Sequence, residues 1–251
     1  MYRGFYTAAN GILNEQRIMN TISNNIANVK TAGYKSDTAV PTTFAESLLL
    51  INGKTSETGT IRYRTLEDTD TDLAQGTFDN TGSRLDIALK GPVYFNIQSY
   101  NNDDVLLTRN GQFTIDAEGY LSLGSCGRIL NAEGEPIQLG TADFKVSEDG
   151  VITTADGRTI TLGLTYLPDD TAVDKVGDNM LRPYEEFQTG NVPEDIEYKV
   201  MQGWYERSNV DIAKQTVNAM HSQQVFNSCA AALKIINSVN QIACNNLAKI
   251  N

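Results

Sequence analysis

The chain has 251 residues, 40% hydrophobic and 20% charged, with 20 basic against 31 acidic side chains and a formal charge of -11. This composition describes a folded chain of one or two domains and excludes a disordered or collagen-like sequence. The charge excludes a general nucleic-acid binder, which needs Lys and Arg to neutralise phosphates, and argues against an anionic membrane surface.

From Phe5, apolar residues recur at Ile12, Met19 and Ile26, seven apart, with Ala8, Ile22 and Val29 as a companion series that Glu15 interrupts. This is the a/d pattern of a helix that packs along a seam. Gly33 suits the left-handed conformation that closes many helices, so a helix is predicted over about residues 4–31. Residues 36–76 hold one apolar patch, Phe44 to Ile51, whose run Leu48 to Ile51 is far below the roughly 20 residues that cross a bilayer. After it, Glu67 to Asp72 reads as extended and exposed.

From Thr77 to Tyr198, short apolar segments alternate with turn signals. The segments are Leu85–Leu89, Val93–Ile97, Val105–Thr108, Gln112–Ile115, Tyr120–Leu123, Val151–Thr154 and Thr159–Leu164. Asn110-Gly111, Glu118-Gly119, Glu133-Gly134, Asp149-Gly150 and Asp156-Gly157 punctuate the region. Asp-Gly and Asn-Gly supply the positive φ angles that tight hairpins demand, so the centre is predicted to be an antiparallel β domain.

Asn209 or Ser208 can cap a second helix. Ile212, Ala219, Phe226, Leu233 and Leu247 then repeat at seven, with Asn240 in the gap, beside Cys229, Ile236, Ala243 and Ile250. Val217, Val225, Ile235, Val239 and Ile242 widen the apolar face. With neither Pro nor Gly from Asn209 to Asn251, one helix of about 40 residues, near 60 Å, is predicted. Asn, Gln, Ser and Thr occupy the polar faces where Glu and Lys usually keep a solvated helix soluble. Neutral polar groups are buried at modest cost when hydrogen-bonded, so these helices are expected to be contacted on several sides.

The fold class is therefore α+β: long N- and C-terminal helices paired as a coiled-coil-like domain, plus a central antiparallel β domain. The expected divisions are 1–35, the N-terminal helical half; 36–76, an extended linker; 77–202, the β domain; and 203–251, the C-terminal helical half. Charge follows the same division. Residues 1–35 carry a net +3 and residues 203–251 a net +2, which leaves -16 in the middle.

Catalytic constellations are missing. There is no phosphate-binding glycine loop, nucleophile elbow or H-E-x-x-H, and the sole histidine, His221, lies in the second helix. Cys229 is eight residues further on, about 12 Å along a helix and too far for activation by that imidazole. Asp68, Asp70 and Asp72 resemble the start of a calcium loop, but Leu73 stands where the sharp turn needs Gly and Asp79 where a bidentate Glu is expected. Trp204 and Tyr205 read as core or inter-subunit packing. Cys126, Cys229 and Cys244 form no C-x-x-C pair, and Cys229 and Cys244 lie about 22 Å apart on one helix against a limit of roughly 7 Å for a bridge. No catalytic, cofactor or metal residue is assigned. The start of the chain lacks a cleavable secretory signal, so the protein is expected either to stay in the cytosol or to leave by another route.

The segment Thr7 to Lys35, TAANGILNEQRIMNTISNNIANVKTAGYK, resembles without a gap the N-terminal signature of the flagellar basal-body rod and hook proteins. Ser208-Asn209-Val210-Asp211-Ile212, with Gln223 and Phe226, is similar to that family's C-terminal signature. Thr81–Asn96 and Leu107–Leu121 resemble its β domain, although Gly91-Pro92-Val93 replaces a common Gly-Asp-Gly, and Gln224 and Cys229 stand at positions commonly Arg and Asn. The resemblance implies a structural subunit of the flagellar shaft, with the terminal helices in an inner tube and the β domain outside. It implies export through the flagellar type III apparatus, without a cleavable signal peptide, to the basal body beyond the cytoplasmic membrane. Implied partners are further copies and other rod and hook proteins, with no nucleic acid and no membrane insertion, and length favours a rod subunit over the hook protein. Subunit contacts are expected at Ile12, Met19, Ile22, Asn24, Asn25, Ile26, Asn28 and Val29, and at Asn209, Val210, Asp211, Ile212, Phe226, Leu233, Ile236 and Leu247. The alternative is a surface module whose acidic β domain holds a ligand or calcium on a helical stalk.

Overall fold

The computed structural model describes residues 2–43, 64–100, 104–168, 173–177, 179–183, 192–193 and 195–247. They fall into two compact units: one of Met1–Ala27, Asp37–Asp70 and Asp211–Asn251, the other of Asn28–Ser36 and Thr71–Val210. The α+β class is as predicted. The apolar patch at Phe44–Ile51 lies outside the described residues.

The first unit is built on two helices, α1 (Tyr2–Ala27) and α2 (Ile212–Leu247). They run antiparallel along each other. Gly4 faces Ile236 and Gly11 faces Cys229, a step of seven on each helix. A Cβ at Gly11 would lie 2.9 Å from Cys229 Sγ, so the glycine permits this close approach. Strand β1 (Asp37–Thr43) packs on α1 and pairs with β2 (Arg64–Thr71) in a two-stranded ribbon.

α1 ends at Ala27, earlier than the predicted residue 31. Asn28 starts a turn in which its carbonyl and side-chain oxygens accept from Thr31 N–H and Thr31 Oγ1, both at 3.1 Å. α2 also begins later than expected. Asp211 caps it, accepting from the N–H groups of Ala213 and Lys214 at 2.8 and 3.2 Å. Asn209 is committed elsewhere: its Oδ1 accepts from Ser36 N–H at 2.7 Å and its amide donates to the carbonyls of Asp72 and Ala74.

The second unit is antiparallel β throughout its paired strands. In chain order these are β3 (Phe78–Asn80), β4 (Ile87–Lys90), β5 (Val93–Ser99), β6 (Val105–Thr108), β7 (Thr114–Ile115), β8 (Leu121–Leu123) and β9 (Gly127–Ile129). There follow β10 (Phe144–Val146), β11 (Val151–Thr154), β12 (Thr159–Thr161), β13 (Leu164–Tyr166), β14 (Val173–Gly177), β15 (Met180–Pro183), β16 (Lys199–Gln202) and β17 (Trp204–Glu206). The main sheet has the order β14-β15-β6-β5-β9-β8-β7, and β13 also pairs with β5. β9 takes Ile97–Ser99 of β5 and β13 takes Val93–Phe95. The returning chain is thus distributed end to end along one strand.

That centrality explains why Val93, Tyr94 and Phe95 of β5 are apolar in succession, the strand being covered on both faces. Val93, Phe95 and Ile97 enter the larger core, where Phe95 meets Phe113 edge-to-face at 4.9 Å, while Tyr94 enters a second cluster with Leu73, Leu107 and Leu181. The predicted strand Thr159–Leu164 is divided, because Gly163 N–H donates to the Leu130 carbonyl between β12 and β13. Gly119, Gly134, Gly150 and Gly157 take positive φ as their dipeptides predict. Gly111 does not, and is required for another reason: a Cβ there would strike the Ile87 carbonyl.

Candidate functional site

The helical unit presents the first candidate surface. Packing two helices covers one stripe of each, and the rest stays exposed. Ile22 and Asn25 are buried; Ile12, Met19, Phe226, Leu233 and Ile236 are half-buried; Asn24, Ile26, Asp211 and Ile212 are exposed. Leu247 lies at the end of α2, and its side chain is outside the described residues. Val217, Ile235, Val239 and Ile242, read from the sequence as a widened packing face, are 51–65% exposed, and Met220 is 68% exposed. α2 therefore carries large apolar side chains on a surface almost without charge.

Asn25 shows how one motif residue is used. Its side-chain oxygen accepts from Asp37 N–H at 3.0 Å and its amide donates to the Asp37 carbonyl at 2.7 Å. The side chain replaces a strand neighbour for the first residue of β1. The same unit has a groove of about 280 Å³ between α1, α2 and β1, lined among others by Glu15, Asp37, Asn218, His221 and Ser222.

In the second unit, three charged side chains that the sequence reading passed over meet in the interior. Glu206 Oε1 accepts from Lys35 Nζ at 2.8 Å and from Gly76 N–H at 2.7 Å, and Oε2 accepts from Arg109 Nη1 at 3.0 Å. Lys35 also donates to the Ala74 carbonyl, and Arg109 to the carbonyls of Leu89 and Gly91. The Arg109 guanidinium lies 4.3 Å from the centre of the Tyr94 ring, a cation–π contact. Burial draws the Lys35 ammonium below its ordinary pKa, with Glu206 opposing the shift and Arg109 adding to it. Two cations and one anion are sealed in, and backbone carbonyls meet the remaining positive charge.

This cluster ties three distant segments of the one chain together and offers no accessible reacting group. Lys35 closes the N-terminal motif, Arg109 lies in the segment LTRNG and Glu206 stands just before the C-terminal motif. Gly33 N–H donates to the Glu206 carbonyl at 2.8 Å, and a Cβ on Gly33 would strike the backbone of Arg109 and Asn110. The segment that directly follows α1 in sequence is thus built into the β unit. Arg109 also grips the carbonyl of Gly91, anchoring the turn in which this chain has Gly91-Pro92-Val93.

The remaining sequence candidates take ordinary places. Asp68 and Asp70 lie within β2, not in a loop, and Asp72 Oδ1 accepts from Ala74 N–H. Among the described residues no group of three His, Cys, Asp or Glu side chains is arranged to hold a metal ion. Cys126 and Cys229 are half-buried, and Cys229 is a free thiol. His221 is exposed on α2, and no described helix is long and apolar enough to cross a membrane. Trp204 and Tyr205 sit in β17, paired with Asn80 and Asp79 of β3.

Residues 5–35 match the family described as "Flagella basal body rod protein". Along its length the chain is similar to the flagellar basal-body rod protein FlgG of Bacillus subtilis (strain 168), at 29% identity over 96% of this chain and 97% of that one. It is similar to the flagellar basal-body rod protein FlgF of Caulobacter vibrioides at 26% identity over the whole of both chains. The flagellar hook-basal body complex protein FlhO of Bacillus subtilis is likewise 26% identical over both full lengths. The likeness carried by Thr7–Lys35 thus extends over nearly the whole chain, which is similar from end to end to flagellar basal-body rod proteins.

Proposed function

We propose that the chain is a structural subunit of the bacterial flagellar basal-body rod. It polymerises through its terminal helices, as a coiled-coil-like inner domain, into the axial shaft that carries torque from motor to hook. The observation that carries this reading is the outer surface of α2, where Ile212, Val217, Met220, Ile235, Val239 and Ile242 are all more than half exposed. Isolated in water, such a stripe is costly by about 25 cal/mol for each Å² left uncovered, and neighbouring subunits would cover it. The relatives' names point the same way.

In this reading Ile12, Met19, Phe226, Leu233 and Ile236 form the seam within a subunit, and Ile26, Asp211 and Ile212 face its neighbours. The β unit, which holds most of the negative charge, faces outward. The chain passes through the flagellar type III apparatus without a cleaved signal and works beyond the cytoplasmic membrane, beside other rod and hook proteins. The free thiol of Cys229 suits passage as an unfolded chain. The calcium-module alternative is not favoured, since Asp68 and Asp70 alternate along a strand and do not wrap a loop.

Hydrogen exchange on dilute monomer tests the reading. Both helices should exchange faster than β5, β6 and β9, because their burial awaits neighbours. Helices as strongly protected as the sheet core would contradict it.

A further inference from the structure

We propose that the groove between α1, α2 and β1 receives the ammonium or guanidinium group of a second copy of this chain; the inference rests on the assembly reading above and specifies one of its contacts. α1 and α2 hold one acidic residue between them, Glu15, and it lines this groove. Asp37, the first residue of β1, lines it too. The same helices carry Arg3, Arg17, Lys214 and Lys234, the last three exposed. The unit therefore presents cations along its helices and a carboxylate-lined recess at one place, a self-complementary distribution.

The hydroxyl of Ser222 supplies the second observation. Ser222 is only 4% exposed and lines the groove, yet it makes no side-chain hydrogen bond to the described residues. Other helix hydroxyls turn back onto their own helix: Thr21 to Arg17, Thr216 to Ile212, Ser228 to Gln224 and Ser238 to Ile235. A hydroxyl set in the groove wall without a protein partner keeps its acceptor and donor capacity for an occupant, and a donor entering the groove would use it. An ammonium or guanidinium has only donors to offer, which matches a carboxylate, a hydroxyl and the side-chain oxygen of Asn218. Asn218 and Ser222 of the groove share α2 with Val217 and Met220, 65% and 68% exposed, so an occupant that also covers this helix brings apolar surface as well as charge. A second copy of the helical unit has both.

The experiment is sedimentation velocity of the full chain over a concentration series at low and high salt, with Glu15→Gln and Ser222→Ala alongside and circular dichroism as the check on folding. The parent should self-associate more strongly at low salt. Glu15→Gln should raise the concentration of half-association by about tenfold and flatten the salt dependence, and Ser222→Ala should raise it by about threefold. Glu15→Lys should be restored by mixing with Lys214→Glu or Lys234→Glu. Folded variants that associate like the parent overturn the groove contact and leave the assembly reading standing, whereas a parent that is monomeric throughout overturns both. Arginine amide that binds the parent without weakening association assigns the groove to a small cation and overturns the proposal.

Discussion

Lys35 and Glu206, 171 positions apart in the chain, meet at 2.8 Å with 2% and 1% of their side chains exposed. Arg109 completes the arrangement from the other carboxylate oxygen. Three segments distant in sequence are pinned at one point, so the β unit cannot close until residue 206 is in place. Removing the anion should therefore cost more than removing either cation.

Glu206→Gln keeps the volume and leaves two buried cations without their counter-charge. The expected loss is about 3–5 kcal/mol, the range for breaking a buried pair. Lys35→Met leaves Glu206 with Arg109 and Gly76 N–H, and should cost less, about 1–3 kcal/mol. Urea unfolding followed by the fluorescence of the sole tryptophan, Trp204 in β17, measures both; Lys35→Met costing more than Glu206→Gln would contradict the arrangement.

The pH dependence has a defined sign. Burial is the main reason the folded Lys35 pKa lies below the ordinary 10.5, Glu206 working against it and Arg109 with it. Between the lowered value and 10.5 the unfolded chain holds more protons, so this group makes stability rise with pH across that interval. Below the interval the full penalty for keeping the ammonium charged is present. The difference in urea midpoint between parent and Lys35→Met should shift in the parent's favour as pH climbs toward 10.5, and parallel curves would remove Lys35 as the titrating group.

Gly33 and Gly134 separate conformational strain from steric contact. Both have positive φ, 66° and 84°, but a Cβ at Gly33 meets the backbone of Arg109 and Asn110 while one at Gly134 meets nothing within 4 Å. Gly134→Ala should cost about 1–2 kcal/mol, the left-handed penalty alone. Gly33→Ala should cost clearly more, because backbone must move. Equal losses in the same urea assay would argue against the tight passage at Gly33.

Asn25→Ala strands both polar backbone groups of Asp37, and the expected cost is about 1–3 kcal/mol. Its local signature is exchange of the Asp37 amide, which should speed up in step with that loss. Asn25→Asp retains the acceptor for Asp37 N–H but turns a carboxylate oxygen toward the Asp37 carbonyl, so it should rescue little.

What could be read beforehand follows from what is local. Val93–Ile97 and Val105–Thr108 announce strands because apolar runs and glycine turns are neighbours in sequence, and seven-residue spacing announces both helices. The end of α1 at Ala27 was hidden, since Asn25 and Asn28 stop the helix through bonds to Asp37 and Thr31 that periodicity does not register. The ribbon of β1 and β2 is polar and Pro41 lies inside it, so no alternation marks it. The Lys35–Glu206–Arg109 cluster was least legible of all. A charged residue reads as surface until its partners are known, and these come from three segments far apart in the chain. The one hint was position: Lys35 and Arg109 sit inside the segments that carry the resemblance.

The most direct measurement is location. With an epitope placed in the β unit at the Asp156-Gly157 turn, the labelled chain should be found in purified hook–basal bodies, along the rod between motor and hook. A label confined to the hook, or absent from these particles, would contradict the account.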